Sequence, residues 1–284
     1  MPFVVAIDGP AASGKSSTAQ WVARELGWRH VDSGAFYRAA TAATLRTGAP
    51  PEAWTDEGVL AASARVGRRD AGTSVAPTLD GAPCDDEIRG PAVTGHVSLV
   101  ARMPAVRAWV NAQVRAAAED HHVVVDGRDM GTAVFPEATL KVFLVADPWE
   151  RARRRLVQRL GRPAADDEIA AETDALVKRD AADATQTVQA ADAVLIDTTY
   201  LTQVEQVERI VALARAAAAR TGLPGRERRE TPGDPPGDPP TLEPPVRSRD
   251  IARLAPASAG ARPHTPTPRR AASRIPRAPE LPMT

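Results

Sequence analysis

The stretch IDGPAASGKSST, Ile7 to Thr18, decides the fold. It places Gly9, four further residues, and then Gly14-Lys15-Ser16. That spacing is the loop that cradles the phosphates of a nucleoside triphosphate. The context is the one the loop requires. FVVAI before it is a short apolar run of strand type, and Lys15 to Leu26 reads as a helix closed by Gly27. Glycines let the backbone wrap phosphate oxygens with its amides pointing inward, and the helix adds its positive N-terminal dipole. The residues expected to hold the triphosphate are therefore Gly9, Pro10, Ala11, Ala12, Ser13, Gly14, Lys15, Ser16 and Ser17. Lys15 is expected to reach the β- and γ-phosphates, and the Ser16 hydroxyl to ligate Mg²⁺ directly. The loop identifies the triphosphate end and leaves the phosphate acceptor open.

Outward from the loop, strands and helices alternate. RHVD is a short strand followed by a helix from about Ala35. TSVAPTLDGAPC reads as a hairpin turning at Asp80-Gly81. Two helices follow, one near residues 91–102 and one starting at Pro104. HVVVD and LKVFLVA are strands of buried type. Asp147-Pro148-Trp149-Glu150 has the cap, first-turn proline and third-position acid of a helix start. AVLID is the last strand, and Thr202 with Glu205 caps a final helix ending near Gly222. This order implies an α/β fold, a parallel sheet covered by helices, with ligands beyond the strands' carboxyl ends.

From Pro224 onward the composition changes. Residues 224–284 hold 15 of the 26 prolines, with 11 Arg against 7 acidic residues. Proline fixes φ and removes amide donors, so this tail is expected to be disordered, either inert or docking an unknown partner. The zero net charge of the 284-residue chain thus hides a mildly acidic body, 25 basic against 29 acidic residues. Such a balance gives no bulk case for nucleic-acid or membrane binding. One cysteine, Cys84, excludes an intrachain disulfide and fits a reducing compartment. The start MPFVVAIDG is too quickly polar for a signal peptide, and no apolar run approaches a membrane span. The expectation is a cytoplasmic, monomeric enzyme.

Several segments can serve the acceptor. DSGAFYRA, residues 32–39, presents Ser33, Tyr37 and Arg38 near a helix start, although Arg38 fits a solvated helix residue equally well. VVVDGRDMGT, residues 123–132, ends an apolar strand in Asp126, a glycine, Arg128 and Asp129. Those charges lie on the functional rim, where a structural ion pair is the alternative. In RDAADAT, residues 179–185, Arg179 and Asp183 share a helix face, as a surface salt bridge also would. Arg151, Arg154 and Arg155 share another face, before the lid-like segment GRPAADD. Some of them are expected to swing over the triphosphate, and a solvated basic helix would have the same spacing. Asp126 either holds Mg²⁺ through water or orients Arg128.

Together these segments resemble one family, bacterial cytidylate kinase, a nucleoside monophosphate kinase. The resemblance runs from about Phe3 to Gly222 through IDGPAASGKSS, VDSGAFYRA, LDGAPCDDEIR, VSLVARMPAVR, DGRDMGTAVFP, ADPWERARRR, RDAADAT and ADAVLIDTT, in that order. It implies a P-loop kinase domain at 1–223, with an acceptor-binding insert at about 65–103, a lid at about 151–185 and the tail at 224–284. It implies transfer of the γ-phosphate of ATP, with Mg²⁺, to CMP or dCMP. Ser33, Tyr37, Arg38 and Arg128 match residues that hold the acceptor phosphate. Ser98, Arg107 and Asp129 match those that read cytosine, whose amino group suits a carboxylate and whose N3 and O2 suit arginine and serine. Arg179 and Asp183 match those that hold the sugar hydroxyls. Lys15, Arg128, Arg151 and Arg155 are then the charges expected to stabilise transfer.

One departure stands out. The family usually reads RDxxDxxR, its last arginine near the transferring phosphates, and this chain has Gln186 there. The expectation is that another arginine from residues 151–162 fills the gap. Two alternatives to CMP remain: a sister kinase acting on UMP or a sugar acid, and a GTP-dependent switch protein. The switch would need an N-K-x-D element, absent from a chain with three lysines.

Overall fold

The computed structural model describes residues 2–220. The tail read at 224–284 and the helix end at Gly222 lie outside them. In chain order the first elements are β1 (Val4–Asp8), α1 (Lys15–Leu26), β2 (Arg29–Asp32), α2 (Ser33–Leu45) and α3 (Asp56–Ser63). The middle of the chain adds β3 (Val66–Ala71), β4 (Ser74–Leu79), β5 (Ala82–Pro83), α4 (Asp85–Arg89), α5 (Pro91–Val100) and α6 (Pro104–Ala118). The chain continues through β6 (Val123–Asp126), β7 (Leu140–Val145), α7 (Pro148–Leu160), α8 (Asp166–Asp183), β8 (Val194–Asp197) and α9 (Gln203–Arg220).

The strand order is β3-β4-β2-β6-β1-β7-β8, with β5 also paired to β4. From β4 to β8 the pairs are parallel, as expected. β3 and β5 run antiparallel to β4, so the sheet is mixed at the acceptor edge. The reason is local. Asp80 (φ 54) and Gly81 (φ 79) are both left-handed, the geometry of a tight two-residue hairpin, as read from sequence. A second turn at Gly72-Thr73 joins β3 to β4, and this one the polar sequence of β3 concealed.

Side-chain alternation splits the core between two faces. On β1 and β6, Ala6, Val123 and Val125 face Phe36, Val106, Val110 and Val114 of α2 and α6. Val5, Ile7 and Val124 face Val22 of α1 and Val207, Ile210 and Ala214 of α9. Burial on both faces explains why these strands read as unbroken apolar runs. β1, β2, β6 and β8 each end on an aspartate: Asp8, Asp32, Asp126 and Asp197. The register pairs Ile7 and Asp32 with Asp126, which aligns three of these ends along one rim.

Candidate active site

Asp8 is the hinge pin of the rim. Its carboxylate accepts from the Met130 amide at 2.8 Å and the Gly131 amide at 2.7 Å. It therefore caps the single π-helical turn Met130–Val134, which follows directly on Arg128 and Asp129. Burial pushes this carboxyl up to about 6, against the two amides, which favour its charged form. Asp8→Asn replaces one acceptor oxygen by an NH₂ facing an N–H. It is expected to cost about 1–3 kcal/mol of stability, the scale of an unsatisfied buried donor, and to lower turnover by loosening Arg128. Urea unfolding and steady-state rates check this, and a variant unchanged in both would remove Asp8 from that role.

The loop takes the shape its glycines permit. A Cβ on Gly9 (φ +147) would lie 2.1 Å from the Leu144 carbonyl oxygen, so β7 passes too close for any side chain. Gly14 caps α1 in a left-handed conformation, φ 87. Lys15 is buried, and its ammonium donates to the Pro10 carbonyl at 2.5 Å and to Ser13 Oγ at 3.3 Å. Burial, and after it the Arg128 guanidinium, hold it well below the ordinary lysine range. Ser16 Oγ donates to Asp126 Oδ2 at 2.5 Å, while His30 Nε2 meets Asp126 Oδ1 at 2.7 Å. A hydroxyl and a carboxylate converging on one point at the loop's mouth are hard oxygen donors. This is the kind of pair Mg²⁺ uses beside phosphate, its other positions being water and phosphate oxygens. The residues present fit that ion.

Gly127 explains the DG of DGRD. A Cβ there would fall 2.5 Å from Ser33 Oγ and 2.8 Å from Met130 Cε. Ser33, at the first turn of α2, donates to the Asp126 carbonyl at 2.8 Å. The helix starts there, and not at Ala35, because the Asp32 carboxylate accepts from the Ala35 amide.

The acceptor-side cations converge. Arg128 and Arg179 place Nε 3.6 and 3.8 Å from the same Asp183 carboxylate oxygen, within ion-pair reach and beyond hydrogen-bond length. Both Nε atoms are buried without a hydrogen-bond partner, and so is the Tyr37 hydroxyl. Buried donors are normally satisfied, so three orphans on one side of the rim mark a place built for an anion. Burial pushes the Tyr37 phenol up to about 12. Burial, then Arg179, lowers Arg38 to about 10, and burial, then Arg128, lowers Arg179 in turn. Arg38 is no solvated helix residue. It donates to Thr94 Oγ1 at 3.0 Å and to the Ile88 carbonyl at 3.3 Å, both in the insert.

Arg107 forms an ion pair with Asp129, which joins two of the three residues matched to the base. Burial raises the Asp129 carboxyl, with Arg107 opposing. Arg107 also lies 6.0 Å from the centroid of the Tyr37 ring. Ser98 stands half-buried on α5, its carbonyl accepting from Arg102 at 3.1 Å.

The segment read as a lid meets the phosphate loop through Arg151. α7 and α8 form a helical hairpin, and the buried Arg151 turns onto the loop instead of over it. It donates to the Ala11 carbonyl at 2.8 Å, the Ala146 carbonyl at 3.1 Å and Asp180 at 2.6 Å. Asp180 in turn accepts from the Ala11 amide at 3.1 Å. Arg154 donates to the Thr198 and Thr199 carbonyls, while Arg155 and Arg159 both meet Glu172 at 3.1 Å. Arg162 pairs with Glu168. Beyond burial, Arg155 is among the nearby charges that lower Arg38 and Arg179, and Gln186 Oε1 accepts from Arg107 at 3.0 Å. Asp8, His30, Asp180 and this Gln186 contact were not read from sequence. Only Asp8, a carboxylate at a strand end just before the loop, carried a usable signal.

Among the described residues no helix is long and apolar enough to cross a membrane. The sequence model of the family described as cytidylate kinase matches residues 5–216. A cytidylate kinase of Rhodococcus opacus (strain B4) is 44% identical over 70% of this chain and 89% of its own. One of Corynebacterium efficiens is 41% identical over 77% of this chain and 97% of its own. A bifunctional pantoate ligase/cytidylate kinase of a Synechococcus strain is 39% identical over the same share of this chain but 42% of its own length. A phosphate loop, a rim of buried arginines and a sequence matched along nearly the whole described body have one reading: the chain belongs to the cytidylate kinase family.

Proposed function

We propose that the protein transfers the γ-phosphate of ATP to CMP or dCMP, giving CDP or dCDP. The observation that carries this is the set of buried, unpartnered donors, Tyr37 Oη, Arg128 Nε and Arg179 Nε, beside the Arg107–Asp129 pair. The first group suits a monophosphate and the pair suits cytosine. Three of the cations, Lys15, Arg38 and Arg179, are held below their ordinary pKa by burial and then by neighbouring arginines, Arg128 beside Lys15 and Arg179, and Arg179 beside Arg38. A bound phosphate would relieve that strain, which is the differential that favours binding.

No general base is needed. A nucleoside monophosphate has a second pKa of about 6, so the attacking oxygen is already an anion near neutral pH. The work is to bring two polyanions into line and to neutralise their charge. The loop amides and Lys15 hold the donor. Arg38, Arg128 and Tyr37 hold the acceptor phosphate, Arg179 and Asp183 the sugar, and Arg107, Asp129 and Ser98 the base. Arg151 shapes the loop through Ala11, and Arg155 is held ready by Glu172. Mg²⁺, held by Ser16 and Asp126, would supply positive charge at the transferring phosphates.

Initial rates with ATP and Mg²⁺ on CMP, dCMP, UMP and AMP test the reading. CMP and dCMP are expected to lead, and a preference for UMP or AMP would overturn it. Asp129→Ala is expected to lower kcat/KM for CMP about 10- to 100-fold, the scale of a hydrogen bond to a charged group, and to spare residual UMP activity. Uracil lacks the amino group that Asp129 would accept from. Equal losses on both bases would place Asp129 on phosphate or structure instead.

A further inference from the structure

Gln186 occupies the position where the phosphate-facing arginine of the RDxxDxxR pattern is expected, yet its side chain reaches the other end of the acceptor. Its backbone amide donates to the Asp183 carbonyl at 3.0 Å, which fixes it one turn beyond α8. Its Oε1 accepts from Arg107 Nη1 at 3.0 Å. The direction of that bond is settled by chemistry, because a guanidinium only donates. The same Nη1 also donates to the Ala101 carbonyl at 3.1 Å, and Nη2 meets Asp129. Arg107 is thus bracketed by the Ala101 carbonyl, a carboxylate from the rim and an amide oxygen from the turn that follows α8. Of the three, Gln186 alone belongs to the segment that carries Arg179 and Asp183.

We propose that Gln186 is a positioning residue for base recognition, tying the lid helix to Arg107 so that the sugar-side and base-side contacts close together. The inference rests on the acceptor reading above and adds to it a residue and a direction. Neutrality is the useful property. A carboxylate here would compete with the base for Arg107, and an arginine would set a second guanidinium against the first. Glutamine orients Arg107 and leaves its charge and its remaining donors for the base.

The test is steady-state kinetics of the full chain on CMP and UMP, with ATP varied separately, for wild type, Gln186→Met and Gln186→Arg. Gln186→Met keeps the length and removes the acceptor. It is expected to raise KM for CMP about tenfold, the scale of one hydrogen bond to a charged group, with kcat and KM for ATP within about twofold. The CMP-to-UMP discrimination should narrow. Gln186→Arg should raise KM for CMP further. A merely structural role would move the thermal midpoint and kcat and leave the discrimination ratio alone. An unmoved KM for CMP in both variants overturns the inference, as does a gain in kcat for Gln186→Arg, which would show a residue facing the phosphates. A wild type without activity on CMP overturns the acceptor reading as well, so the two failures are told apart by the unmutated protein.

Discussion

Lys15→Ala is expected to lower kcat on the order of a thousandfold, the upper range for deleting one charge-stabilising donor, while the protein stays as stable as wild type or becomes more so. The two halves of that result come from one feature. The ammonium is buried against a carbonyl and a hydroxyl, with the Arg128 guanidinium nearby. Its folded pKa lies well below the unfolded one, so folding works against its proton at every pH below the unfolded value. Near neutral pH the charge therefore opposes folding, and removing it removes that opposition. It is kept for the polyphosphate it will meet. Arg128→Ala should follow the same pattern in rate, since its Nε is buried without a hydrogen-bond partner. A purified Lys15→Ala protein with near-wild-type turnover would sink the assignment, and a large fall in Tm would show that Lys15 serves the fold.

Among the described glycines, Gly9→Ala should be the most damaging added methyl. Its φ of +147 is a region that residues with a Cβ rarely enter, worth about 1–3 kcal/mol before any clash is counted. The new Cβ would then sit 2.1 Å from the backbone oxygen of Leu144, and backbone in a central strand cannot step aside as a side-chain tip can. Either β1 and β7 separate beside the loop or the loop itself is displaced. Urea unfolding should show several kcal/mol lost, a large part of a typical domain's stability, and ATP binding should disappear with it. A midpoint and an ATP affinity near those of wild type would contradict the close approach of β7.

Much of this was legible from residues, for identifiable reasons. The central strands are buried on both faces, so they read as apolar runs. The loop, the Asp80-Gly81 turn and the caps at Asp147 and Thr202 are local devices with local spellings, and each is where it was read. β3 was not legible, because an edge strand of sequence VGRRDA carries no apolar alternation. Arg38 was ambiguous because its partners, Ile88 and Thr94, lie some fifty residues away in sequence. The contacts of Arg151 were not legible for a similar reason. Spacing put Arg151 on a helix face, but the direction of that face depends on Asp180 and Ala11, which only the folded chain brings together. Gln186 shows the limit most clearly: a position in a pattern says which backbone site is filled, and the long glutamine side chain chose a neighbour the pattern does not contain.

The clasp on Ala11 has a consequence for measurement. Its amide is held by Asp180, its carbonyl by Arg151, and its methyl lies among Ala152, Leu156, Ile169 and Leu176 of the helical hairpin. One proton in the phosphate loop is thus sealed by groups of the helical hairpin. Its exchange with solvent deuterium is expected to be slower than that of the loop's other amides, and any lifting of the hairpin would speed it. Followed by NMR, that single resonance would clock the opening of the enzyme from within, without dye or nucleotide. Adding each nucleotide in turn would then show which of them holds the door.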